Sequence, residues 1–181
     1  MIATLDETAG GKLRAAGEFA RAYIQAALWS STEYPFGACP CCGRVALLSK
    51  LPELDYEQEL MCDGPECGVR EGNPEPMDSN YSPEDLAPET LERMLADCAR
   101  FEAEHWEVIQ AAINTGEVVS GPDFGPWGRA GHDFWLTRNG HGAGFWAGDW
   151  SEPFAAPLTA AAEAFGTCDL YAGDDGQIYL A

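Results

Sequence analysis

The strongest constraint in this chain is a set of four cysteines arranged as two close pairs. The first pair lies in Cys39-Pro40-Cys41-Cys42-Gly43 and the second in Cys62-Asp63-Gly64-Pro65-Glu66-Cys67-Gly68. Cys39 and Cys42 form C-P-x-C-G, and nineteen residues later Cys62 and Cys67 form C-x4-C-G. Zinc takes four soft ligands in a tetrahedron, and two tight turns each ending in Gly can aim their thiolates at one ion. Between the pairs, residues 44–48 and 57–61 have the composition of two short strands, with Leu51-Pro52-Glu53-Leu54 as their turn. The expectation is a zinc ribbon over residues 35–70, holding one structural Zn2+ on Cys39, Cys42, Cys62 and Cys67. A site closed by four thiolates builds structure and leaves no open position for chemistry. Iron–sulfur ligation is the main competing use of such cysteines. Disulfides would need an oxidising compartment, and a redox C-x-x-C needs only one pair. Cys41 is the spare thiol of the first turn, and the spacing leaves open whether it substitutes for Cys39 or Cys42. Cys98 and Cys168 stand on apolar faces far from the cluster and read as buried free thiols.

Charge is the second constraint. The 181 residues include 30 Asp and Glu against 10 Lys and Arg, a net charge of −20. Residues 51–110 carry three bases and seventeen acids, net −14. Direct binding to a nucleic-acid backbone needs a basic footprint, so it is not expected, and anionic membranes are disfavoured for the same reason. No apolar run approaches the ~20 residues of a membrane span. Residues 1–7 offer neither a basic nor an apolar leader segment, so no secretory signal is expected there. Hydrophobic residues make up 46% of the chain, enough for a core without staples.

Around the cysteine module the periodicity predicts an α+β core domain formed by residues 1–34 and 71–181. A helix is expected over Lys12–Leu28, with Phe19, Tyr23, Ile24, Ala27 and Leu28 on one face. Ser82-Pro83-Glu84-Asp85 has the cap, the proline and the acids of a helical turn. A long helix over about 88–114 places Leu91, Met94, Leu95, Cys98, Phe101, Ile109, Ala112 and Ile113 inward, and Gly116 fits just past its end. His105 lies on it between Glu104 and Trp106 and reads as solvated or helix-packed. Residues 121–128 form a loop with aromatic anchors, and Pro157–Phe165 reads as a short helix. Residues 168–172 and 178–180 read as a hairpin around Asp174-Asp175-Gly176, most simply a turn.

A second hairpin is expected where His132–Thr137 and Ala143–Ala147 alternate about Asn139-Gly140, the strongest two-residue hairpin signal. That register pairs Phe134 with Phe145 and Leu136 with Ala143, and lays Trp135 over Gly142 and Gly144. His132, Arg138 and His141 would share one face, the two histidines at opposite ends. If the protein is an enzyme, those three are its candidate catalytic residues, with Arg138 beside His141 able to hold an anion. Asp133 would point to the other face, so His132 and Asp133 are not expected to act together. Gly140–Gly144 imitates a phosphate loop only superficially, because it joins two strands. The fold class is therefore two or three helices on a small antiparallel sheet of two hairpins, with an inserted zinc ribbon.

The segment Ala130–Trp146, containing Asp133-Phe134-Trp135-Leu136-Thr137-Arg138-Asn139-Gly140-His141-Gly142-Ala143-Gly144-Phe145-Trp146, resembles the signature of a family of small acidic proteins encoded by bacteriophages and prophages. Residues 19–32, with Ala26-Ala27-Leu28-Trp29-Ser30-Ser31-Thr32, residues 80–98 and residues 169–176 are similar to other parts of that pattern. The resemblance covers about two-thirds of the chain. It departs where members run from Trp-Ser-Ser-Thr almost directly into Asn-Tyr-Ser; here the cysteine module intervenes, as an insertion at a surface loop. The resemblance brings no settled activity. It implies a phage context and a host bacterial cytoplasm.

The leading functional expectation is an accessory protein that binds a host or phage protein presenting a basic surface. Glu84, Asp85, Glu92, Glu104 and Glu107 would form the docking face. Its sharpest version is DNA mimicry that inhibits a nucleic-acid-binding or defence enzyme. The rivals are a small enzyme or a nucleotide- or anion-binding protein using residues 132–145, and a zinc-ribbon adaptor in transcription or replication. A mimic should show a continuous acidic stripe; an enzyme should show a concavity where His132, Arg138 or His141 meets a loop.

Overall fold

A computed structural model describes residues 9–33, 75–118, 120–121 and 123–181. The chain divides into two compact units, Met1–Ser31 with Pro76–Ala181, and Thr32–Glu75. The expected zinc ribbon, with Cys39, Cys41, Cys42, Cys62 and Cys67, lies outside the described residues. Two-residue strands β1 (Thr32–Glu33) and β2 (Glu75–Pro76) pair with each other.

The first unit is α+β. Its described residues hold five helices, α1 (Ala9–Ala15), α2 (Glu18–Ser30), α3 (Pro88–Asn114), α4 (Pro126–Arg138) and α5 (Ala155–Glu163), and one antiparallel hairpin of β3 (Leu170–Ala172) with β4 (Ile178–Leu180). The single helix expected over 12–28 is broken, because Gly17 takes an extended conformation (ψ 167°) and restarts the chain as α2. The helix expected from Pro157 begins at Ala155, which puts the proline in the first turn, where its missing N–H costs nothing. α3 starts with Pro88 at its first helical position and ends at Asn114, with Thr115 as its cap before Gly116, whose φ of 75° is the left-handed value favoured by glycine.

The hairpin expected around Asn139-Gly140 is instead the C-terminal half of α4 and the loop after it. Gly140 has φ 66°, the Gly140 N–H donates to the Thr137 carbonyl, and the His141 N–H donates to the Leu136 carbonyl. This double closure is a Schellman motif, which needs the same positive φ that makes Asn-Gly a hairpin turn. Pro126 starts the helix, and Trp127, Ala130, Phe134 and Arg138 follow at three- and four-residue spacing along it. Phe134 and Phe145 are therefore not cross-strand partners, although both enter the core. Trp135 does not cover Gly142 and Gly144; it packs edge-on against Tyr23 at 5.2 Å and donates to Ser30 Oγ at 2.8 Å.

α2 and α4 cross so closely that a Cβ at Gly131 would overlap the carbonyl oxygen of Phe19. The core beside this crossing is aromatic: Phe101 stacks on Phe134 at 4.1 Å and lies 5.9 Å from both Phe19 and Phe145. The C-terminal hairpin is tied to the start of α3, since the Ala87 N–H donates to the Ile178 carbonyl and the Leu180 N–H to Thr90 Oγ1. Cys98 and Cys168 are buried free thiols, and burial pushes both above their ordinary pKa. No helix among the described residues is long and apolar enough to cross a membrane.

Candidate functional site: an aromatic cleft at the His132–Asp133 pair

The three residues expected to share a hairpin face do not meet. Arg138 is a core residue, 4% exposed. Its guanidinium donates to Asp97 Oδ2 at 2.9 Å, to the Tyr23 hydroxyl at 2.7 Å, and to the carbonyls of Gly166 at 2.9 Å and Phe165 at 3.3 Å. Burial alone would lower its pKa, but Tyr23 and Asp97 outweigh it and hold the guanidinium above its ordinary value. The same burial raises the Tyr23 hydroxyl well above its ordinary pKa. These bonds engage the Arg138 guanidinium within the core. His141 lies past the end of α4, and partial burial lowers its pKa against a smaller opposing pull from Asp169.

His132 lines a cleft of about 570 Å³. That is the size of ordinary small-molecule sites. Four stretches of chain build it: the end of α2 (Trp29), residues 78–83 (Asp78, Tyr81), the loop before α4 (Asp123, Phe124) and α4 itself (Arg129, His132). The His132 ring lies against Trp29 at 6.2 Å and Phe124 at 5.5 Å, with interplanar angles of 29° and 36°. Phe124 can take this position because a Cβ at either Gly121 or Gly128 would strike it. Glu18 on α2 accepts a hydrogen bond from the Gly125 N–H, which fixes the loop where α4 begins. Trp29 is 55% exposed, so much of its indole faces solvent.

Behind the cleft, Asp133 is fully buried and meets three nitrogen partners. Arg129 Nε donates at 2.8 Å, Trp150 Nε1 donates at 2.8 Å, and His132 Nδ1 lies 2.9 Å away. Arg129 also pairs with Asp149. The sequence-based expectation that His132 and Asp133 diverge is therefore overturned. Neighbouring residues on a helix are 100° apart rather than on opposite sides of a strand, and here their side chains meet. In a neutral imidazole, an Nδ1–H donated to Asp133 leaves Nε2 as the acceptor for whatever enters the cleft. A positioned imidazole of this kind can accept a ligand's hydrogen bond or take up a proton.

The five expected docking acids fare differently. Glu84, Glu92, Glu104 and Glu107 are exposed, and Asp85 is half-buried. Asp85 closes a capping box, accepting from the N–H and the hydroxyl of Ser82 at 2.8 Å each. Glu92 pairs with Lys12 at 2.5 Å, which lowers its pKa. The outermost row of α3 reads Glu89, Arg93, Ala96, Arg100, Ala103 and Glu107, all exposed, so two arginines interrupt the acids. His105 is half-buried against Phe101 at 4.7 Å. Asp175 accepts from the Gln177 N–H and the Tyr179 hydroxyl, which completes the turn of the β3–β4 hairpin. No group of three or more His, Cys, Asp or Glu that could hold a metal ion occurs among the described residues.

Trp29, Arg129 and Asp133 were missed as site residues from sequence. Arg129 and Asp133 at i,i+4 carried a helical signal that the alternation of aromatics concealed. Set against family models, curated proteins and solved structures, the chain matches none.

Proposed function

We propose that this protein is a ligand-binding protein whose site is the cleft at His132. The observation that carries the reading is the oriented imidazole: a buried carboxylate holds Nδ1, and the ring lines an aromatic-walled cavity of ligand size. Simple core packing of a histidine needs no such cavity beside it. The test is a set of three probes, agmatine, AMP and benzoate, titrated against the full chain while the amide and indole signals of Trp29, Phe124 and His132 are followed by NMR. Saturable shifts from at least one probe, weakened several-fold by Trp29→Ala, support the reading. Absence of cleft shifts with all three at millimolar concentration overturns it.

A second reading is favoured by the exposure of Glu84, Glu92, Glu104 and Glu107 on a chain of net charge −20. In it, the protein docks on a protein partner with a basic surface. The arginines within the α3 row favour docking through the acidic surface as a whole over imitation of an evenly charged nucleic-acid backbone. Association of this kind weakens steeply with salt, because exposed charges are screened over about 10 Å at 0.1 M. Charge reversal of the four glutamates together should lower the on-rate. The cysteine spacing supports one structural zinc on Cys39, Cys42, Cys62 and Cys67, in keeping with an adaptor module. The resemblance to small acidic phage proteins supports a bacterial cytoplasmic setting.

A further inference from the structure

We infer that the cleft at His132 selects a guanidinium-bearing ligand, an inference that rests on the cleft being a binding site. Among the lining residues two side chains are acidic, Asp78 and Asp123, and one, Arg129, is permanently basic. Asp78 and Asp123 are exposed acidic residues of its lining. With His132 Nδ1 turned to Asp133, Nε2 is the ring nitrogen left to meet a ligand. The cation of the lining, Arg129, spends its Nε on Asp133 and a terminal nitrogen on Asp149. In and behind the cleft, one guanidinium thus stands among four carboxylates, and a ligand there meets net negative charge. Net negative charge disfavours an anion such as a nucleotide phosphate at this site.

The walls narrow the choice among cations. Trp29 presents an indole that is 55% exposed, with Phe124 and Tyr81 also lining the space. A guanidinium is planar and weakly hydrated, stacks on aromatic faces, and presents a fork of donors matched to carboxylates. An ammonium is compact and strongly hydrated, and gives up more on leaving water for such a wall. The charge of the whole chain, −20, would draw any such cation toward the surface.

The test compares agmatine with its neutral ureido isostere, carbamoylputrescine, by NMR titration of the full chain. The expected result is at least about tenfold tighter binding of agmatine, with shifts at Trp29, Phe124 and His132. Trp29→Ala and Asp123→Asn should each weaken agmatine several-fold; both side chains are exposed, so both variants should fold. Equal binding of the isostere, or cleft binding of AMP or benzoate in place of agmatine, overturns the guanidinium inference and leaves the cleft as a binding site. Silence from every probe overturns both. A Gly-Arg-Gly amide peptide distinguishes the sources: tighter binding than agmatine identifies an arginine presented by a basic protein, and weaker binding identifies a free guanidino compound.

Discussion

Replacing Arg138 by methionine should unfold the core unit far more readily than any surface change, and the size of the effect can be worked from its contacts. The guanidinium is 4% exposed and satisfies Asp97, the Tyr23 hydroxyl and the carbonyls of Phe165 and Gly166. Methionine fills much of the volume but supplies no donor. Removing one partner of a buried ion pair destabilises by about 3–5 kcal/mol. The Asp97 side chain is 20% exposed, and partial rehydration of its carboxylate places the expected loss near the lower end, about 3 kcal/mol. With a urea m-value of about 2 kcal/mol/M, the midpoint should fall by about 1.5 M. All six tryptophans lie outside residues 34–74, so intrinsic fluorescence follows this unit rather than the cysteine module. Adding Asp97→Leu to Arg138→Met should recover part of the loss by removing the orphaned carboxylate. Agmatine binding by folded Arg138→Met should match wild type, because Arg138 does not line the cleft. A midpoint shift below about 0.3 M would refute the structural role assigned to Arg138.

Four further outcomes are expected. Gly131→Ala should force α2 and α4 apart at the Phe19 carbonyl and lower the melting temperature by about 5–10 °C in calorimetry. Thr137→Val removes the hydroxyl that accepts the buried Phe145 N–H at 3.0 Å; a loss of about 1–3 kcal/mol and faster hydrogen exchange at the Phe145 amide should follow. His141 has a lowered pKa in the folded state, so its contribution is full above about pH 6.5 and is lost as pH falls through the range toward the folded value. Stability between pH 7.5 and 5.5 should therefore fall less in His141→Asn than in wild type; the difference removes Glu102, whose raised pKa acts in the opposite direction. Elemental analysis of protein purified without chelator should give one zinc per chain, lost in Cys62→Ser, and chelation should leave the tryptophan emission of the core unit unchanged.

Much of the α+β frame was legible because it rests on local rules. α3 announces itself by an apolar face at helical spacing, Pro88 at its start and Gly116 past its end. The β3–β4 hairpin follows from two short apolar runs around Asp174-Asp175-Gly176. The acidity that disfavours a nucleic-acid backbone is likewise a property of composition alone. Residues 132–147 were misread because Asn-Gly followed by glycines serves a hairpin turn and a helix C-cap with the same positive φ, and the local pattern does not separate them. Tertiary contacts decided it: Gly131 admits the Phe19 carbonyl, Trp135 reaches Ser30, and Arg138 finds Asp97 and Tyr23, which are 41 and 115 residues away in sequence. Once α4 is a helix, Arg138 turns into the core, while His132 turns to the cleft and meets Asp133. That cleft joins residues near 29, 80, 123 and 130, stretches that share no periodicity or motif. Nearest-neighbour chemistry sets which elements a segment favours, but which side chains face one another across a cavity is settled only when the helices pack.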